Sequence, residues 1–144
     1  MKIAIINGPN LNLVGIREPE IYGNISFDEY IPQLKLRYPD HKLSYFQSNH
    51  EGALIDEMQR IGFDFDAIIL NAGGLTHTSI VIGDCVKGIS TPVIEVHISD
   101  IQNREDFRRH SYVTEPSVHL IHGQGLNGYL LAIEWALANV SLAQ

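Results

Sequence analysis

Glu95 and His97 are the first residues in this sequence whose types and spacing suggest chemistry. Two positions apart in an apolar run, they point to the same face of a strand, whereas Val96 and Ile98 point to the other. A carboxylate beside an imidazole can handle a proton, because the negative charge favours the protonated ring. The plainer reading is a glutamate that satisfies a nearby backbone amide, since a buried carboxylate is costly unless paired. Arg104, Arg108, Arg109 and His110 follow as a basic run. Such a run is ordinarily a solvated helix face, yet a small anionic substrate would need a group of this kind.

Three further patterns point to less. Gly123-Gln124-Gly125-Leu126-Asn127-Gly128 has the glycine spacing of a dinucleotide loop. Too little chain follows for a second strand-helix unit, and no acidic residue stands about 20 positions on to hold a ribose, so a tight strand-to-helix turn is favoured over a phosphate site. Of seven histidines, His119 and His122 are the one close pair; three apart in a strand, they face opposite sides and chelate poorly. Cys85 falls on an apolar helix face as a small packed hydrophobe. Neither metal nor thiol chemistry is expected.

These side chains need a scaffold, and the hydrophobic pattern supplies one. Apolar runs at residues 2–6, 42–47, 67–71, 92–97 and 118–121 read as strands. Helices are expected between them. One starts at a Ser26-Glu29 capping box and runs to about Tyr38, bent by Pro32; another starts at a Ser48-Glu51 box and carries Leu54, Ile55, Met58 and Ile61. A third spans about Thr78 to Lys87 with Val81, Ile82, Cys85 and Val86 on its apolar face. The last spans Gly128 to Val140 with Leu130, Ile133, Leu137 and Val140 inward, and one short helix is expected within 99–114. The long loop from Asn7 to about Ile25 is a candidate lid. Continuous apolar strands alternating with helices imply an α/β fold: a flavodoxin-like, doubly wound, five-stranded parallel sheet in a three-layer sandwich.

In such a sheet, ligands bind beyond the carboxyl ends of the strands. That rule gathers Asn10, Asn71, His77, Glu95 and His97 at one edge, with Arg17 and Tyr22 on the lid above them. A chain of 144 residues suits one domain, 1–144. Ten Lys and Arg against 17 Asp and Glu give a net charge of −7, which argues against nucleic acid as a partner. No apolar run is long enough to span a bilayer, no signal peptide is evident, and one cysteine cannot form an internal disulfide. A cytoplasmic protein without membrane contact is expected.

The motifs Asn7-Gly8-Pro9-Asn10-Leu11-Asn12-Leu13, Arg17-Glu18-Pro19 with Tyr22-Gly23, Asn71 with Thr76-His77-Thr78-Ser79, Glu95-Val96-His97-Ile98-Ser99, and Arg104-Glu105 with Phe107-Arg108 and His110-Ser111-Tyr112 closely resemble those of the type II 3-dehydroquinate dehydratases, in the same order and over essentially the whole chain. The resemblance implies conversion of 3-dehydroquinate to 3-dehydroshikimate in the shikimate pathway of aromatic amino acid biosynthesis, without cofactor, metal or Schiff base, by a homo-dodecamer built as a tetramer of trimers. It implies Tyr22 as the base, activated by Arg17. Shifting a phenol by two units requires about 2.7 kcal/mol, and a guanidinium about 4 Å away at an effective dielectric of 20 contributes roughly 4 kcal/mol before desolvation.

It also implies that Asn10, with a water, binds the enolate oxygen and that His97 is the general acid with Glu95 behind it. Asn71, His77 and Arg108 would hold ring hydroxyls, the amides around Ile98 and Ser99 would cradle the carboxylate, and Asp84 would act across a subunit contact. Gly83 departs from the family, which usually has Arg there, and Asp100, Gln102 and Asn103 depart beside the cradle. An unpaired charge on Asp100 would weaken anion binding. Two other readings compete: a non-catalytic flavodoxin-like module that binds a nucleotide or flavin at the same edge through the Gly123–Gly128 turn, and a pseudoenzyme that keeps the fold for assembly.

Overall fold

The computed structural model describes residues 1–16, 20 and 24–142. Its centre is a parallel sheet of five strands, β1 (Lys2–Asn7), β2 (Lys42–Gln47), β3 (Ala67–Asn71), β4 (Val93–His97) and β5 (His119–His122), in the order β2-β1-β3-β4-β5. Strand alternation divides the core in two. Ile3 and Ile5 face a cluster with Phe27, Ile31 and Leu34 of α1 (Phe27–Arg37) and Tyr129, Ala132, Ile133 and Ala136 of α4 (Asn127–Asn139). Ala4 and Ile6 face the opposite cluster with Leu54, Met58 and Ile61 of α2 (Glu51–Ile61) and Ile82, Cys85 and Val86 of α3 (Ile80–Gly88). Two helices on each face make the three-layer, doubly wound sandwich expected from the sequence.

β1 pairs with both β2 and β3, Asn7 standing in register with Gln47 on one side and Asn71 on the other. The chain winds outward from β1 to β2, then reverses towards β3, β4 and β5. This reversal opens a crevice beyond the carboxyl ends of β1 and β3. Among the described residues no helix is long and apolar enough to cross a membrane.

Several local expectations are corrected. Ser48 does not cap Glu51: its Oγ accepts from His50 N at 3.0 Å, His50 is the N-cap of α2, and the Glu51 carboxylate accepts from Ser79 Oγ of the neighbouring helix instead. Ser79 is itself the N-cap of α3, accepting from Ile82 N at 3.1 Å, so that helix begins after Thr78 and leaves Val81 47% exposed. α4 packs through Tyr129, Ala132, Ile133 and Ala136, with Leu130, Leu137 and Val140 only partly buried, because the buried Ala132 and Ala136 bring the helix close to the sheet. The 99–114 segment holds two short 3-10 turns, Ile101–Asn103 and Asp106–Arg108, rather than one helix. The Ser26 cap holds, its Oγ accepting from Glu29 N, and Pro32 lies on the exposed side of α1.

Candidate active site

A pocket opens over the carboxyl ends of β1, β3 and β4. It is lined by Asn10, Asn71, His77, His97, Ile98, Ser99, Arg104 and Arg108 among others. His97 ends β4, and its Nε2–H donates to Glu95 Oε2 at 2.6 Å, as the strand alternation requires. Glu95 is 1% exposed, and two more donors reach it: Ser111 Oγ at 2.8 Å to Oε2, and Thr114 Oγ1 to Oε1. Burial alone would push this carboxyl up. The hydrogen bond and charge of His97, with the Thr114 and Ser111 hydroxyls, outweigh burial and hold it below the usual carboxylate value. Glu95 is therefore an anion, His97 Nε2 carries a proton, and Nδ1 is the ring nitrogen left to exchange one with a substrate.

The His77 ring stacks near that of His97, with centroids 6.5 Å apart and 20° between planes. Its Nδ1–H donates to the His110 carbonyl at 2.7 Å. Burial lowers its pKa, which the His110 carbonyl and Glu95 oppose and the neighbouring His97 and Arg108 reinforce. A neutral His77 then presents Nε2 as an acceptor, suited to a substrate hydroxyl.

Asn71 is 3% exposed and held at both ends of its amide: Nδ2 donates to Tyr129 Oη at 2.9 Å, and Oδ1 accepts from Gly73 N at 3.1 Å. Tyr129 Oη donates onward to Asn7 Oδ1 at 2.8 Å, and burial pushes that phenol far up, so it remains a neutral donor. Asn10 reaches the pocket from a left-handed backbone conformation (φ 70°), and its N donates to Asn49 Oδ1.

Two members of the basic run, Arg104 and Arg108, line the pocket. Arg109 instead pairs with Asp106 on the surface, and His110 packs its ring edge-on against Tyr112. Arg108 Nε is 3.2 Å from Glu105 Oε2 but out of line, so among the described residues this buried N–H has no hydrogen-bond partner. It is a donor that an anionic or hydroxylated ligand would satisfy.

The glycine turn is a structural joint. Gly123 and Gly125 adopt φ values of +76° and +59°, and their amides donate to the Ser99 and Ile98 carbonyls at 3.1 Å each. Those amides are thus committed, which argues against a nucleotide phosphate there. Across the planar peptide, Ser99 N–H points away from the turn.

Asp100 is paired. Its Oδ1 accepts from Gln102 N at 3.0 Å and lies 2.9 Å from His122 Nδ1, while Oδ2 accepts from Asn103 Nδ2 at 2.7 Å. The Asp100 carboxylate beside the cradle is therefore hydrogen-bonded at both oxygens. Cys85 is buried and its thiol pushed up by that burial, as suits a packing residue. His119 stacks on Trp135, away from the His122–Asp100 pair, and among the described residues no three His, Cys, Asp or Glu side chains are grouped to hold a metal.

Asp84 lies on the exposed side of α3 and does not line this chain's own pocket. Arg17 and Tyr22, the expected activator and base, lie outside the described residues, as do positions 18, 19, 21 and 23 of the candidate lid. Ser111, Thr114, Asn7 and Tyr129 are the supporting residues that the sequence reading did not assign. Their partners are 16 to 122 positions away, so no local spacing announces them.

With this geometry in place, the chain matches the family Dehydroquinase class II over residues 1–137. It is 48% identical over 134 residues to a 3-dehydroquinate dehydratase of Exiguobacterium sp., covering 92% of each chain. It is 43% identical over 143 residues to a catabolic 3-dehydroquinase of Verticillium alfalfae, covering 98% of this chain and 95% of the relative. A crystal structure of the type II dehydroquinase from Butyrivibrio crossotus superposes with a TM-score of 0.91 at 42% identity, covering 95% of this chain and 97% of that one.

Proposed function

Since the chain belongs to the class II dehydroquinase family, we propose that its pocket removes water from 3-dehydroquinate with Tyr22 as the base and His97 as the acid. The activity is that of a 3-dehydroquinate dehydratase, a hydro-lyase of the shikimate pathway. The observation that carries the assignment of roles is the His97–Glu95 pair, 2.6 Å apart at the end of β4 and facing a pocket lined by Arg108 and amide donors.

Elimination across C1 and C2 removes the C2 proton, which is acidified by the C3 ketone, and leaves an enolate. Tyr22, ionised beside Arg17, takes that proton. Asn10 stabilises the oxygen on which charge develops. His97 then donates its proton to the C1 hydroxyl, which leaves as water while the enolate electrons form the C1–C2 double bond of the product. Glu95 stabilises the imidazolium until that transfer. His77 and Asn71 hold ring hydroxyls, Arg108 supplies a donor, and the Ile98–Ser99 turn receives the carboxylate. Side-chain proton transfer and hydrogen bonding account for each step, so the reading requires no metal or cofactor.

The same reading includes a homo-dodecamer in the cytoplasm. In support, Asp84 shares the outer side of α3 with the exposed Ile80 and Val81, at 57% and 47%, where a neighbouring protomer would cover both and receive the carboxylate. The roles are tested by Tyr22→Phe and His97→Gln. Each variant should bind substrate while turnover falls by orders of magnitude, and near-normal turnover in either removes that residue from its role.

A further inference from the structure

The segment 110–114 bonds to one pocket histidine, His77, and to Glu95, the partner of the other, without lining the pocket itself. At one end the His110 carbonyl accepts the His77 Nδ1–H at 2.7 Å. At the other, Ser111 and Thr114 donate to the two oxygens of Glu95, which in turn accepts the His97 Nε2–H. Ser111 has no freedom in this arrangement. Its oxygen accepts from Val113 N at 3.0 Å and Thr114 N at 3.1 Å, so its single hydrogen is committed to Glu95.

The segment is anchored by Tyr112 N donating to Thr76 O at 3.0 Å and by Val113, which is fully buried. Its seat exists because residue 83 is glycine: a Cβ there would lie 2.5 Å from Tyr112 O. Gly83, a departure from the family pattern in the sequence, thus has a local physical role.

We propose that segment 110–114 is a positioning clamp that fixes opposite proton arrangements on the two stacked histidines, with Ser111 and Thr114 acting on His97 through Glu95 and the His110 carbonyl acting on His77. His97 keeps one proton on Nε2 and, as the imidazolium that Glu95 stabilises, gives a second from Nδ1; His77 is protonated at Nδ1 and accepts through Nε2. One pocket thereby holds a donor for the departing hydroxyl and an acceptor for a retained one. The groups facing His77 are His97, Arg108, Glu95 and the His110 carbonyl, and the arrangement favours ligands that offer a hydroxyl hydrogen to Nε2. Ser111 and Thr114 are positioning residues, since neither lines the pocket.

The inference rests on His97 being the proton donor, and the test separates the two claims. Thr114→Val keeps the shape of an exposed side chain and removes its hydroxyl, Thr114→Ser keeps the hydroxyl, and Ser111→Ala removes the second donor. For Thr114→Val and Ser111→Ala, kcat should fall roughly 10- to 100-fold, the factor that corresponds to a hydrogen bond to a charged group, with KM within about twofold of wild type. Thr114→Ser should restore kcat. In nitrogen-15 histidine spectra, wild-type His77 should appear as the Nδ1–H form, and the His97 signals should move in Thr114→Val while those of His77 stay.

Wild-type kcat and unmoved His97 signals in both hydroxyl-deleting variants would overturn the clamp, provided His97→Gln is inactive. An active His97→Gln would instead overturn the assignment of the acid. If Thr114→Val does not fold, Ser111→Ala measured against Thr114→Ser decides the same question.

Discussion

Replacing Glu95 by Gln tests the electrostatic core of the mechanism with little change in shape. The carboxylate accepts His97 Nε2–H and Ser111 Oγ–H at one oxygen and Thr114 Oγ1–H at the other. A glutamine can place its carbonyl at the first position and its amino group at the second, where the Thr114 hydroxyl can rotate to accept. Packing survives, and the charge does not. A unit charge about 4 Å from the imidazolium at an effective dielectric of 20 is worth roughly 4 kcal/mol before desolvation is subtracted. With a net loss of about 2.7 to 4 kcal/mol, kcat should fall roughly 10²- to 10³-fold, at 1.36 kcal/mol per factor of ten. KM should change little, because Glu95 does not line the pocket. Initial rates followed by the enone absorbance of 3-dehydroshikimate give both constants. A kcat within about threefold of wild type, in a variant that folds normally, would refute the claim that Glu95 powers the acid.

Tyr129→Phe should lower stability by about 1 to 3 kcal/mol in urea melts, because it strips a partner from buried Asn7 Oδ1 and Asn71 Nδ2. It should also raise KM as Asn71 loses its brace; unchanged stability and KM would show that the network is dispensable. Acid should destabilise the fold in two windows. His77 is held below its ordinary 6.5, so the unfolded chain takes up that proton first and stability falls as pH drops from about 6.5 towards the lower folded value. Glu95 is held below its ordinary 4.5, so its contribution is present above that value and lost as pH falls below it. Thermal melts across pH should show both losses, with the lower one missing in Glu95→Gln; identical pH curves for the two proteins would contradict the pairing.

Much of the scaffold was legible because the strands are buried on both faces. β1 reads as an unbroken apolar run, and a run of that kind has few alternatives to a central parallel strand. The Glu95–His97 contact was legible for a similarly local reason, since strand alternation alone puts both side chains on one face. Sequence reading failed where distance or size decided the outcome. In α4 the spacing of the larger Leu130 and Leu137 predicts the inward face, yet Ala132 and Ala136 face the sheet because close approach rewards small side chains. At Ser48 the capping pattern was present, but Ser79 competed for Glu51 across 28 residues. Ser111 and Thr114 carry no local signature of their role, which exists only once the loop folds back over β4.

The most direct test of the whole account is the ultraviolet absorbance of the purified protein mixed with 3-dehydroquinate in buffer containing EDTA. Growth of the conjugated enone of 3-dehydroshikimate at an enzymatic rate, abolished in His97→Gln, is the result this account predicts. No growth from folded wild-type protein, or equal growth in the variant, would contradict it.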